Sequence, residues 1–435
     1  MIARRAARTQ STQANPMLVP LSRNRNYQLL WGSQALTLFG GSTAAIAFPL
    51  LALAITDSPG MAGLVLGTNA AASLVVGLPA GALVDRWNRK NVMLGCEVIG
   101  VIASLSLVVA LWWGVANVVH LVVVAAVSGV CGAMFGPAEE SCLPNLVPRE
   151  QLSTAVSMNA ARGYLGGLSG TAVGGFLYAI GTYVPFAVNA LTRIMGFFAL
   201  LFLRVPPRYV RPEPLSRLGH EVASGLRWIC RHHTIRVIGL FAVGLNMFFT
   251  AYFLVIIVLA QGRGVSSGEI GVMAAMMGVG GILGALVAPY LYQKLSAYLS
   301  IIGVFWALTL LTPLAIFISN GYLMGLLFAA MAFLAPTANT TIDTYQLIFT
   351  PDELRGRISS VMGVIIGSSA VVGPALGGFL MEVVSNDQAV LLCAAGIGIV
   401  TVVGTISPTL RRFPRHVVAE DPPATLQEYE QRAEP

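Results

Sequence analysis

The sequence predicts an all-α polytopic membrane protein of twelve transmembrane helices, built as two parallel six-helix repeats. Three observations predict it: apolar residues arrive in long uncharged blocks, basic residues gather on one side of the array, and the second half can be laid on the first. The 435 residues are 56% hydrophobic and only 10% charged, with a mean hydropathy of +0.75. A soluble chain carries about 25% charge. Val98–Trp113, Val118–Met134 and Leu299–Ile318 each run about 16 to 20 residues without a charge, and Tyr183–Leu203 runs 21 with Arg193 alone, the length that crosses a ~30 Å hydrocarbon core. Forty-six glycines would weaken a soluble bundle, but helices in lipid use small residues to approach closely.

The elements follow in order. Residues 1–25 hold Arg4, Arg5, Arg8, Arg23 and Arg25 and read as a cytoplasmic tail. The next apolar stretch, Tyr27 to Ile55, exceeds the 7–15-residue core of a signal peptide. An N-terminal bundle over 26–204 holds helices at 27–55, 60–84, 90–113, 117–137, 153–180 and 184–204. A basic cytoplasmic connector, 205–233, divides the chain near its midpoint. A C-terminal bundle over 234–409 holds helices at 234–261, 267–292, 297–318, 321–346, 356–382 and 388–409, and 410–435 forms a polar tail with Pro422 and Pro423. Pro49 and Pro336 kink membrane helices without ending them.

The charges orient this array. Of 26 basic residues, only Arg263 falls in a loop on the side away from the N-terminus, and Arg162 and Arg193 fall inside helices; 23 remain on the N-terminal side. Basic residues collect on the cytoplasmic side, so both termini are expected there. The net charge of +7 therefore reflects topology, and nucleic acid is excluded as a partner. A shift of 203 residues lays Gly81-Ala82-Leu83 on Gly284-Ala285-Leu286, Pro148 on Pro351, Glu150 on Glu353 and Gly174-Gly175-Phe176-Leu177 on Gly377-Gly378-Phe379-Leu380. Parallel repeats are a transporter architecture, with the solute site at their interface.

After the second helix come Gly81, Asp85, Arg86, Arg89 and Lys90, in the spacing Gly-x-x-x-Asp-Arg-x-x-Arg-Lys. This resembles the loop signature of the major facilitator superfamily, with Asn88 where that signature has glycine. The resemblance implies the major facilitator fold, with helices 1–6 and 7–12 rocking about a central site. It also implies a latch in which Asp85 faces the start of helix 11 near Gly356 and Arg357, where a carboxylate meets the positive end of the helix dipole. Arg89 would pair with a carboxylate at the foot of helix 4, Glu139 or Glu140. The second half keeps only Lys294 near the corresponding loop, so the latch is one-sided.

Gly166, Gly170, Gly174 and Gly175 resemble the helix-5 motif of drug/proton antiporters, with Thr171 where that motif has proline. The matching stretch of helix 11 carries Gly373, Pro374, Gly377 and Gly378. Close packing and exporter gating are both open readings of these glycines. Ser128 stands where exporters carry an arginine in helix 4, a departure from the usual proton relay. Phe135-Gly136-Pro137-Ala138, Pro144 to Pro148 and Pro351 to Arg357 resemble the bacterial branch of macrolide-efflux-type and enterobactin-exporter-type permeases.

Charges inside membrane helices are costly and point to function. Glu140 and Asp343 lie 203 residues apart, a symmetric pair for binding a proton or a cationic group, or for interfacial salt bridges. Arg162 bridges Glu139 or binds an anionic group. Glu97 and Arg193 read as interfacial. Gln34, Asn69, Asn159, Asn246 and Asn339 are candidate cavity groups, since buried amides need partners. No phosphate-cradling Gly-x-x-x-x-Gly-Lys-Ser/Thr occurs, the five histidines form no metal cluster, and the five cysteines have neither metal nor redox spacing. Neither an enzyme nor a cofactor is expected. The expected function is proton-driven efflux of a partly apolar small molecule by a monomer in a bacterial inner membrane. The alternatives are an exporter of a native metabolite such as a siderophore, and a lysolipid transporter or flippase.

Overall fold

The computed structural model describes residues 20–204, 223, 226–350 and 355–411. Its regular structure, among these residues, is helical throughout. The first half holds α1 (Arg25–Thr56), α2 (Pro59–Arg86), α3 (Arg89–Trp112), α4 (Val118–Leu146), α5 (Arg149–Ile180) and α6 (Val184–Leu201). The second holds α7 (His233–Gly262), α8 (Ser267–Lys294), α9 (Ala297–Leu311) and α10 (Gly321–Phe349). The eleventh span is broken at Ser368 into α11 (Arg355–Gly367) and α12 (Ser369–Val383). The twelfth is α13 (Asn386–Ile406), followed by the short α14 (Pro408–Arg411). Among the described residues, eleven spans are long and apolar enough to cross a membrane; α5, rich in glycine and serine and carrying Arg162, falls outside that set.

Helix starts are written in the sequence as caps. Ser58, Asn88 and Asn117 in the first half, and Ser266, Ser296 and Asn320 in the second, each accept a first-turn backbone N–H. Such a cap satisfies a donor that the helix cannot pair internally. The fourth helix does not close at 137: it runs on through Pro137 and Pro144 to Leu146. In a bundle, neighbouring helices hold a prolyl kink that a lone helix could not.

These caps correct the register of the repeat. α7, α8 and α9 begin 208 residues after α1, α2 and α3, whereas α10 begins 203 after α4 and α12 ends 203 after α5. Five residues are lost where α9 gives way at Leu311 to a tight 3-10 turn, Thr312–Phe317, and a short loop. The match of Gly81-Ala82-Leu83 to Gly284-Ala285-Leu286 is therefore coincidental: at 208, Gly81 falls on Pro289, Asp85 on Gln293, Arg86 on Lys294 and Arg89 on Ala297. Packing verifies both offsets. Gly170 rests on Phe39 and Ser42 of α1, and Gly373 rests on Met247 and Thr250 of α7.

The halves meet along two seams, α2 with α12 and α5 with α8. Both close on the face away from the N-terminus. There Gly63 abuts the Pro374 carbonyl, Gly378 abuts Pro59 and Gly60, and Gly175 abuts Ser267 and Gly271. Added Cβ atoms at these sites would collide with backbone, so only glycine permits the approach. On the N-terminal face α5 is exposed at Ser153, Thr154, Val156, Ser157, Met158, Ala160 and Ala161, on almost every side. The halves part on that face.

Candidate functional site

A cavity of about 450 Å³ opens among α1, α2, α4, α5 and α6. Its polar wall brings together Gln34, Asn69, Glu139 and Arg162, four of the residues singled out from sequence, with Asn189 and Arg193 beyond them. Arg162 Nη1 lies 2.7 Å from Glu139 Oε1, and the two side chains are 7% and 8% exposed. This is the bridge expected of Arg162. Arg162 Nη1 and Glu139 Oε1 hold each other as an ion pair, and Arg162 Nε has no hydrogen-bond partner among the described residues. A ligand acceptor at Nε would displace no hydrogen bond. Asn69 Nδ2 donates to the Ala125 carbonyl at 2.9 Å, which pins the amide and leaves its oxygen toward the cavity.

Other candidates lie elsewhere. Glu140 is exposed while its neighbour Glu139 is buried. Asn159 Oδ1 accepts from Tyr27 Oη at 3.4 Å. Asn246 Nδ2 turns back to the Ala242 carbonyl of its own helix at 2.8 Å, and Asn339 is exposed. The side chains of Asp85 and Asp343 lie outside the described residues. Arg89 Nη1 donates to the Ser141 carbonyl at the foot of α4, 2.7 Å away. Lys90 Nζ donates to the carbonyls of Leu201 and Leu203 at 2.8 Å each, capping the end of α6.

Glu97 and Arg193 correct the interfacial reading. Glu97 is wholly buried and Arg193 is 7% exposed; their charges approach to 3.3 Å. A signal for this pairing was present in the sequence. Glu97 lies eight residues into α3, and Arg193 lies eight before the end of α6. Both ends sit on the same face, so each charge is about 12 Å deep at 1.5 Å per residue. Opposite charges at one depth in apolar surroundings are driven to meet.

The closed face has its own charge. Glu382, near the end of α12, accepts from the Ser58 hydroxyl and from the Gly60 backbone N–H, the latter at 3.2 Å. A carboxylate of the second half thus caps the N-terminus of α2 in the first. The glycines divide their labour: Gly166, Gly170 and Gly174 seat α5 on α1 and Gly373 and Gly377 seat α12 on α7, while Gly175 and Gly378 face the opposite half and Pro374 offers its carbonyl to Gly63.

Comparison with known proteins places this geometry. The family model described as Major Facilitator Superfamily matches residues 30–344 and, again, 236–429. The chain is 27% identical over 402 residues to the multidrug efflux pump Tap of Mycolicibacterium fortuitum, covering 86% of this chain and 93% of that one. It is 22% identical over 402 residues to macrolide efflux protein A of Streptococcus pyogenes, covering 89% and 97%. Among solved structures, a variant of the nucleoside transporter NupG superposes with a TM-score of 0.72 at 12% identity, over 88% of this chain and 99% of that one. A bacterial homolog of the human lysosomal transporter Spinster, inward-facing and unoccupied, gives 0.66 at 16% identity, over 90% and 98%.

Proposed function

Because the chain belongs to the Major Facilitator Superfamily, we propose that it exports a partly apolar small molecule by alternating access, driven by the proton gradient. The observation that carries this reading is the cavity with its Glu139–Arg162 pair, beneath seams closed on the far face only. The basic face is cytoplasmic, so the described state faces inward and loads from the cytoplasm. The efflux named in its relatives Tap and macrolide efflux protein A supports the direction. No observation favours the siderophore or lysolipid alternatives.

The cavity is lopsided. At the measured offsets Glu139 corresponds to Ile342, Arg162 to Ile365, Gln34 to Ala242 and Asn69 to Met277. The first half supplies the charges, and the second offers aliphatic side chains at those places. The cavity's own lining sets Glu139 and Arg162 alongside Leu38, Phe48, Leu66 and Phe135 of the first half, which suits a ligand with one polar end and an apolar body. In the opposite state, Asp85 at the foot of α2 meets the N-terminal end of α11 and holds the inner face shut.

Expression in a pump-deficient bacterial host, scored against a panel of lipophilic cations and macrolides, tests this. Resistance to some members of the panel, lost when the membrane proton gradient is collapsed, is the expected result. Unchanged sensitivity to every member would contradict it.

A further inference from the structure

We propose that Glu97, paired with Arg193, takes up and releases the coupling proton. The proposal rests on the transport reading above. α1, α3 and α6 meet at this pair: Thr37 Oγ1 lies 2.6 Å from Glu97 Oε1, and Arg193 Nη1 lies 3.3 Å from Glu97 Oε2. Arg193 Nε donates to Asn189 Oδ1 at 3.2 Å, and Asn189 Nδ2 donates to Ser104 Oγ at 3.0 Å. Glu97 has no exposed surface, but Thr37, Asn189 and Arg193 all line the cavity. The carboxylate therefore stands one side chain from the cavity.

Thr37 is placed to serve both protonation states. Its oxygen is also 3.0 Å from the Ser33 carbonyl, and a hydroxyl has a single proton to donate. With Glu97 ionised, Thr37 donates to the carboxylate. With Glu97 protonated, the new carboxyl O–H donates to Thr37 Oγ1, and Thr37 donates to Ser33. The Thr37–Glu97 hydrogen bond is made either way, with no movement of heavy atoms, and only the bond to Ser33 is exchanged.

The second half shows that packing alone does not require the pair. At the offsets of the repeat, Glu97 corresponds to Phe305, Arg193 to Gly396 and Thr37 to Leu245. There the junction is apolar: Phe305, 1% exposed, packs in a cluster with Leu245 and Val400, and the Phe248 ring lies against Gly396. Apolar packing of equal volume usually matches or exceeds a buried ion pair in stability. The first half nonetheless keeps the ions and makes room for them: a Cβ on Gly100 would press on the Arg193 guanidinium, and one on Gly196 would crowd Thr37 and Glu97.

The exchange balances. A proton from cavity water adds to the Glu97 carboxylate, which loses its negative charge, and the guanidinium of Arg193 is left uncompensated at the cavity wall. A cationic ligand is then repelled, and it is admitted again once the proton leaves to cavity water. Proton and cation thus exclude one another, as antiport requires. The titratable groups around Glu97 are Arg193 from α6, Cys131 from α4 and its own neighbour Cys96, while α1 presents only Thr37.

Two measurements need no transported ligand. Dicyclohexylcarbodiimide, which reacts with protonated carboxyls in apolar surroundings, should label Glu97 of the unaltered protein increasingly as pH falls, read by mass spectrometry. Proton uptake by purified protein between about pH 8 and pH 5 should be one proton per chain lower in Glu97→Gln. In proteoliposomes, Glu97→Gln, which holds the charge state of the protonated carboxyl, should lose ethidium export driven by a pH gradient by about 100-fold, and the pH dependence of ethidium binding should be lost with it. Absence of label on Glu97, or identical proton uptake in the two proteins, would overturn the proposal. Failure of the unaltered protein to move ethidium would count against a cationic ligand instead.

Discussion

At the residue scale, Glu139 and Arg162 are neighbours in space that the sequence separates by 23 positions, on the consecutive helices α4 and α5. Their pairing was legible because two intramembrane charges of opposite sign in adjacent helices have few other partners. The orientation of Glu140 was not legible. Consecutive helical residues point about 100° apart, and no pattern in an all-apolar helix says which of two adjacent glutamates faces the cavity. Glu139→Gln removes the charge but keeps the shape, leaving Arg162 as an uncompensated buried cation. Losing one partner of such a pair costs about 3–5 kcal/mol. The expected outcome is a protein that reaches the membrane with a lower melting temperature and export reduced at least about 10-fold. Restoring neutrality with Glu139→Gln/Arg162→Gln should recover melting temperature without recovering export. Recovery of both would reduce the pair to a structural role.

At the element scale, α2 and α12 carry the conformational argument. Their closed ends depend on glycine against backbone at Gly63 and Gly378, and on Glu382 at the start of α2. Glycine spacing in the sequence revealed the ridges. It could not say which glycines serve a helix's own half and which serve the seam, because that depends on rotation about the helix axis. Gly378→Leu should hold the far face open by clashing with Pro59. The cost is about 1–3 kcal/mol of overpacking, read as stronger labelling of a cysteine placed at Leu66, which lines the cavity, by a membrane-impermeant maleimide added from outside. Glu382→Ala removes a carboxylate from a helix N-terminus, a contribution of about 1 kcal/mol. It should shift the balance toward the outward-open form by about 5-fold in the same assay. Unchanged labelling in Glu382→Ala would show that the glycine contacts alone close the seam.

At the scale of the whole molecule, eleven of the spans among the described residues were readable as apolar runs, with α5 the exception, and several starts from Ser and Asn caps. The shift of 203 residues was right for the last three spans of each half and wrong by five for the first three. A short deletion at the end of α9 is invisible to a search among near-random small residues, whereas caps and contacts expose it. With the corrected register, the asymmetry of the halves becomes physical: polar and charged positions around the cavity in one half are matched by Ile342, Ile365, Phe305, Ala242 and Met277 in the other. A rocking pair of bundles needs symmetry in its hinges and seams, which the paired glycines supply. It does not need symmetry in its walls, and both the Glu97–Arg193 pair and the cavity with Glu139 and Arg162 lie in the first half.

The central claim is that a proton gradient drives a ligand out through this chain. Purified protein in liposomes loaded with ethidium, oriented by protease accessibility and given an imposed pH gradient, tests it most directly. Ethidium is expected to move against its concentration gradient, coupled to proton movement in the opposite direction and reduced at least about 10-fold by Glu139→Gln. Downhill leakage of ethidium that ignores the pH gradient, or no movement beyond that of empty liposomes, would contradict it.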